Sequence, residues 1–267
     1  MSQYELGIIG AGNMAEAIVR GVVGSGMLAG SAIIVSDVSP QRLELMRTIG
    51  ANTTQDNAEA GRCPHVLLAV KPQVMADMLA KLAPSVAADA MIISIAAGIA
   101  TVKIDALLGH RGRIVRVMPN TPMLVGQGMS ALAAGPRATQ ADLDWAGRLF
   151  ATAGRTVFVN EPQIDAVTAV SGSGPAYFFY LIEAMVAAGT AEGLDAATAL
   201  TLATQTCAGA AALLTKSGED PGVLRAKVTS PNGTTQRAIE TFDAKGVKDA
   251  AIAAVRACAA RSRELGK

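Results

Sequence analysis

The sequence predicts an α/β protein in two parts. A doubly wound, mostly parallel sheet is expected over residues 1–160, followed by an all-α helical part over residues 161–267. Three observations predict it. Short apolar runs alternate with helix-like segments through the first half, the pattern of a parallel sheet with crossover helices. Strand signals stop near Phe158, and long helical runs fill the remainder. A glycine-rich turn stands between the first strand and the first helix, where open sheets of this kind bind ligands.

The elements follow in order. "YELGIIG" reads as a buried strand and "NMAEAIVRGVVGSG" as a helix ending in glycine. "SAIIVSD" is a second strand. "SPQRLELMRTIG" is a helix with Ser39 as N-cap and Pro40 in its first turn. "HVLLAV" and "AMIISIAAG" are apolar runs of strand length, each followed by helix-like sequence, and "GRIVRVMPN" and "MSALAAG" read as two more strands. Four helical runs come next: "AYFFYLIEAMVAAGTAEGL", "AATALTLATQTCAGAAALLTKSG", "TTQRAIETFDAKG" and "VKDAAIAAVRACAARSRELG". The boundary is therefore expected between Val159 and Pro162. There is no internal repeat.

Composition narrows the function. The chain is 51% hydrophobic but only 3% aromatic, which suits helices packed closely through Ala and Gly. With 23 basic and 22 acidic residues and no basic stripe, nucleic acid is not expected as a partner. Cys63, Cys207 and Cys258 are scattered and form no CxxC pair, so a reducing compartment and no metal site are expected. A mean hydropathy of +0.35 raises the question of a membrane. The uncharged run Val117–Pro136 is broken by three prolines and cannot be one spanning helix. The N-terminus has no basic segment followed by a long apolar run. The expectation is a soluble cytoplasmic protein without a membrane partner.

"GIIGAGNMAEAI" fits G-x-G-x-x-A through Gly10, Gly12 and Ala15, after a strand and at the start of a helix. Gly10 permits the tight turn. Gly12 lets a pyrophosphate approach the backbone at the helix N-terminus, and Ala15 allows close helix–sheet packing. The first part is thus read as a Rossmann-type dinucleotide-binding domain. Asp37 ends the second strand, where a carboxylate accepts the ribose hydroxyls of NAD and disfavours a 2′-phosphate. Ser36, Ser39 and Arg42 lie close enough to hold such a phosphate, and they equally suit a capped helix start, so NADH and NADPH both stay open. "LAVKP", "AAG" at Ala96 to Gly98, and "MPNTP" also fall beyond the carboxyl ends of strands. Lys71 there suits either a contact with phosphate or substrate, or a solvated turn.

A catalytic acid is missing. His65 and His110 read as strand-edge and loop residues. The helical part opens with "SGSGPAYFFYLIEAM", where β-hydroxyacid dehydrogenases have a comparable glycine-containing start followed by a catalytic Lys. Here Tyr177, Phe178, Phe179 and Tyr180 occupy that helix and no Lys appears. Tyr177, Phe178 and Tyr180 read as core or dimer contacts rather than as groups that stack on substrate. Gly172 and Gly174 suit either close helix packing or a pocket floor. Reduction of a C=N bond fits better than reduction of a carbonyl, because a protonated imine brings its own proton.

The segments "GIIGAGNMAEAI", "LAVKPQ", "SIAAGI", "RVMPNTP", "DAVTAVSGSGPAYFF" and "LRAKVTSPNGTTQRAI" occur in that order. Together they closely resemble pyrroline-5-carboxylate reductase, from about Leu6 to Leu265. The resemblance implies NAD(P)H-dependent reduction of 1-pyrroline-5-carboxylate to L-proline, with a helical part that dimerises and, in many members, builds larger rings of dimers. It assigns the cofactor, NADPH or NADH, to Gly10, Ala11, Gly12, Asn13 and Met14, to Asn57, to Ala69, Val70, Lys71 and Pro72, and to Ala96, Ala97 and Gly98. It assigns the substrate to Ser230, Gly233, Thr234 and Thr235, with Glu161 matching an acidic position near the ring nitrogen and Lys227 a cofactor position. Asp37 departs from the family, which often lacks an acid there.

The segment "SPNGTTQ" then reads as a seat for a carboxylate. A helix start offers unpaired N–H groups and the positive end of a dipole. Gly233 would let substrate approach, and Thr235 would place a hydroxyl near the imine nitrogen or carboxylate as the catalytic contact. The bland alternative is an ordinary helix with Ser230 as N-cap.

Overall fold

The computed structural model describes Ser2–Gly266; Met1 and Lys267, the outermost residues of the two expected domains, lie outside the described residues. The chain forms two compact units. One comprises residues 1–173 together with 258–267, and the other is Gly174–Ala257.

The first unit alternates strands and helices: β1 Leu6–Ile9, α1 Asn13–Gly24, β2 Ile33–Ser36, α2 Pro40–Thr48, β3 Asn52–Thr54, α3 Asn57–Gly61, β4 His65–Leu68, α4 Pro72–Leu82, β5 Met91–Ser94, α5 Thr101–Leu107, β6 Arg113–Met118, β7 Gly128–Ala134, α6 Gln140–Ala151, β8 Gly154–Phe158 and α7 Ile164–Val167. A wide turn of helix, Thr168–Gly172, follows. The eight strands form one sheet in the order β3-β2-β1-β4-β5-β6-β7-β8. All neighbours are parallel except β6 and β7. The expected doubly wound sheet is present, with two strands beyond the six read from sequence.

The strand residues are apolar on both sides because helices cover both faces. Successive side chains alternate between two cores. Ile8, Leu67 and Ile93 join Ile18, Val22 and Phe150 on one face. Ile9, Leu68 and Ile92 join Leu79, Leu82 and Ile104 on the other. β3 and β8 carry no unbroken apolar run because they are the edge strands. Asn52-Thr53-Thr54 is polar and half-buried, and β8 has no buried residue. Ser39 caps α2 with Pro40 at its start, as expected.

The division between units falls after Ser173, past the expected boundary at 160/161. The reason is packing. Ile164 is buried against Ala131 and Ala133 of β7, so the first helical residues belong to the sheet.

The second unit holds α8 Gly174–Ala191, α9 Ala196–Ser217, α10 Pro221–Lys227, α11 Thr234–Ala244 and the start of α12 Val247–Leu265. Asp195 caps α9 and Asp220 caps α10. Among the described residues of this unit only Gly174, Ala199 and Ala203 are buried. Phe178, Phe179, Tyr180, Leu181, Leu200 and Leu202 are exposed. A unit with so little interior cannot offset the entropy of folding alone. Val117–Pro136 forms strand and turn, but α9 carries an equally long uncharged run. By length and composition alone α9 could cross a membrane. Its small and apolar surface equally suits helix-to-helix packing with a second copy.

Candidate active site

The order of strands reverses between β1 and β4, the place where a doubly wound sheet opens a crevice at its carboxyl ends. Gly10 makes the turn out of β1 at φ +99°, and a Cβ there would lie 2.7 Å from the Ala69 carbonyl oxygen. Only glycine fits. Gly12 is the N-cap of α1, and no side chain caps that helix. A Cβ on Gly12 would meet nothing within 4 Å, so open space stands in front of the first N–H groups of α1. This cradle fits a pyrophosphate. Gly12 and Asn13 are exposed, whereas the Ala11 side chain is buried and Met14 packs on the core. The Ala11 main chain is engaged within the fold, its N–H by Asp37 and its carbonyl by Arg42.

At the end of β2, Asp37 accepts hydrogen bonds from Ala11 N at 2.6 Å and Ser39 N at 2.8 Å. Its carboxylate is fixed beside the glycine turn. Ser36, expected at the cofactor, is fully buried. Its hydroxyl donates to Asn57 Oδ1 at 2.8 Å. Ser36 thus orients Asn57, the first residue of α3, whose amide Nδ2 remains a donor. Arg42 donates to Ala11 O and pairs with Glu16.

Beyond β4, Ala69 and Val70 are half-buried and Lys71 is exposed. Lys71 is the N-cap of α4, Pro72 follows, and no side chain caps the helix. Beyond β5, Ala97 is exposed between buried Ala96 and Gly98. The end of α12 returns here: a Cβ on Gly98 would lie 3.3 Å from Leu265 Cβ. Ser262 donates to Asp165 at 2.6 Å and holds that return. Nothing in the sequence pattern signals it. Asn120, in the loop after β6, joins Met129 N and Ser171 O, tying "MPNTP" to "SGSG". Gly172 admits Met118, whose Cε would lie 2.4 Å from a Cβ, so its role is close packing.

Glu161, expected near the substrate ring nitrogen, has its hydrogen-bond partners within the fold. Its carboxylate accepts from Thr101 N at 2.7 Å and Thr101 Oγ1 at 2.5 Å, with Arg116 at 3.3 Å. It caps α5 from a remote segment, since Ala100 at the N-cap has no side-chain acceptor. His65 stacks on Trp145 with ring centroids 3.8 Å apart. Burial lowers its pKa against the pull of Glu5, so it is a neutral packing group. His110 pairs with Asp105 at the surface. Among the described residues no cluster of metal-binding side chains occurs.

The second unit contains the start of α11. Asn232 adopts φ +57° and Gly233 N donates to Ser230 O at 3.0 Å, so "SPNG" is a tight turn. The N-cap is Gly233 rather than Ser230, and no side chain caps the helix. The Ser230 hydroxyl packs on Gly233 instead. Asn232 N donates to Gln236 Oε1 at 2.7 Å, locking the turn to the helix. Thr234 is exposed and Thr235 half-buried. Lys227 pairs with Glu219 within the same unit. By contrast α2, α3, α6, α9 and α10 all carry side-chain caps. The helix starts assigned to ligands, α1, α4 and α11, do not.

Residues 161–265 match the family described as pyrroline-5-carboxylate reductase dimerisation, and residues 5–98 match NADP oxidoreductase, coenzyme F420-dependent. Pyrroline-5-carboxylate reductase of Pisum sativum is 41% identical over 98% of this chain and 96% of its own length. A solved pyrroline-5-carboxylate reductase from Coxiella burnetii superposes with TM-score 0.93 at 35% identity, covering 100% of both chains. The Plasmodium falciparum pyrroline carboxylate reductase, solved with NADP bound, gives TM-score 0.89 at 28% identity over 100% of both chains.

Proposed function

The chain belongs to the pyrroline-5-carboxylate reductase family, and from that premise we infer that it reduces 1-pyrroline-5-carboxylate to L-proline with NADPH or NADH, in proline biosynthesis. The observation that carries the reading is similarity along nearly the whole chain, 41% identity over 98% of it. Bound at the β1–β4 crevice, the dinucleotide supplies the hydride. The chain's own residues bind and orient. Gly12 and Asn13 present N–H groups to the pyrophosphate, Asp37 and Asn57 face the adenosine ribose, and Ala69–Pro72 and Ala96–Gly98 line the strand ends. At α11, the N–H groups of Thr234 and Thr235 hold the substrate carboxylate, with Ser230 and Gly233 shaping the turn. The Thr235 hydroxyl orients the ring. The substrate arrives as a protonated imine, so no general acid is needed.

The helical part is a dimerisation domain, and the bare apolar faces of α8 and α9 are the surfaces a second copy covers. We extend this to a ring of dimers in the cytoplasm, consistent with three free cysteines. Functionally we keep residues 1–160 for the dinucleotide and 161–267 for substrate and dimer. Glu161 is assigned to fold support rather than to substrate.

Thr235→Ala tests the seat. Loss of one hydrogen bond to a charged group, ~1.5–3 kcal/mol, should lower kcat/KM for the imine by roughly one to two orders of magnitude. Dinucleotide affinity should not change. Thr234→Ala, which keeps its N–H, should lose less. A larger defect in Thr234→Ala would move the hydroxyl contact to that residue.

A further inference from the structure

We propose that Asp37 and the neutralised Arg42 make this chain an NADH-preferring enzyme, with a ribose seat that rejects the 2′-phosphate of NADPH. The inference rests on the reading of the β1–β4 crevice as the dinucleotide site.

A 2′-phosphate distinguishes NADPH from NADH. It carries close to two negative charges at neutral pH and needs cationic donors. Arg42 is the nearby cation, and it is committed. Its Nε donates to Ala11 O at 2.5 Å and its Nη2 to Glu16 Oε2 at 3.0 Å. Glu16 also holds Arg20 at 3.0 Å. Burial would raise the Glu16 carboxyl, yet hydrogen bonds from Arg20 and Arg42 keep it below its ordinary value, so it stays ionised. Val38, next to Asp37, is 89% exposed and brings no charge.

Asp37 itself cannot turn aside. One carboxylate oxygen is held by Ala11 N and the other by Ser39 N. Each oxygen has one further lone pair, which suits the two hydroxyls of an unmodified ribose. A phosphate in the same place would meet a fixed carboxylate in a half-buried setting, where repulsion is weakly screened.

The test is fluorescence titration of the wild-type protein with NADH and NADPH, alongside competition by 5′-AMP and adenosine 2′,5′-bisphosphate. NADH should bind about tenfold to a hundredfold more tightly than NADPH, given a fixed like charge at the phosphate position. 5′-AMP should compete better than the bisphosphate. Asp37→Asn keeps the shape of the side chain and should narrow the NADH/NADPH ratio mainly by tightening NADPH. A merely structural role would weaken both dinucleotides alike. Equal or tighter binding of NADPH by the wild type overturns the inference while leaving the crevice assignment intact. Binding of neither dinucleotide overturns both. Should Asp37→Asn fail to fold, the wild-type ratio and the two competitors still decide.

Discussion

Gly12→Ala and Gly10→Ala separate binding from folding at the same turn. Gly12 has φ −69° and ψ 179°, which alanine adopts without strain, and its Cβ would meet nothing within 4 Å. Alanine is a poorer N-cap than glycine, but it also restricts the unfolded chain by about 0.4–1 kcal/mol, so the two terms nearly cancel. The melting temperature should move by no more than a few degrees. The methyl group, however, fills the space through which a phosphate reaches the N–H groups of α1. Losing one charge-assisted bond, ~1.5–3 kcal/mol, weakens dinucleotide binding by roughly ten- to 150-fold. Gly10→Ala is the opposite case. Its φ of +99° and the Ala69 carbonyl 2.7 Å from the new Cβ leave no relaxed position. Strain of this kind is of order 1–3 kcal/mol before the clash is added, so the melting temperature should fall clearly. Dinucleotide titration and thermal melts on both variants read the two effects. Unchanged affinity in Gly12→Ala would falsify the placement of the pyrophosphate at α1.

Three further outcomes are expected. Glu161→Gln should lower stability by about 1–3 kcal/mol through the lost cap on α5, seen in urea unfolding, with KM for the imine unchanged; a raised KM at normal stability would return Glu161 to the substrate. Burial would raise the Asp142 carboxyl, but hydrogen bonds from Arg113 and Thr139 hold it below its ordinary value. Its contribution is therefore present above the unfolded carboxylate pKa of about 3.9 and is lost as pH falls through the lowered folded value. The advantage of wild type over Asp142→Asn should shrink below about pH 4; a constant difference down to pH 2 would refute the linkage. In sedimentation at low micromolar concentration no folded monomer should appear, because the helical unit buries only Gly174, Ala199 and Ala203 by itself. A fully active monomer would contradict the dimer.

What was legible in the sequence is what the backbone demands locally. Gly10, Gly12 and Asp37 sit at spacings fixed by a strand, a turn and a helix, and they stand where that spacing predicts. The buried strands showed themselves as unbroken apolar runs. β3 and β8 did not, because an edge strand needs no such run. Partnerships between distant segments left no local trace. Glu161 caps a helix start 60 residues away. Ser36 turns inward to Asn57, and the end of α12 comes back over Gly98. Ser230 looked like a cap by residue type, yet the turn through Asn232 moves the helix start to Gly233.

The most direct measurement is the oxidation of NADH or NADPH by purified protein with 1-pyrroline-5-carboxylate, followed at the reduced-nicotinamide absorbance with formation of L-proline measured in parallel. The expected result is imine-dependent oxidation with one proline formed per dinucleotide oxidised, lost or strongly reduced in Thr235→Ala. Folded, dimeric protein that binds dinucleotide and yet turns over neither cofactor with this imine would contradict it.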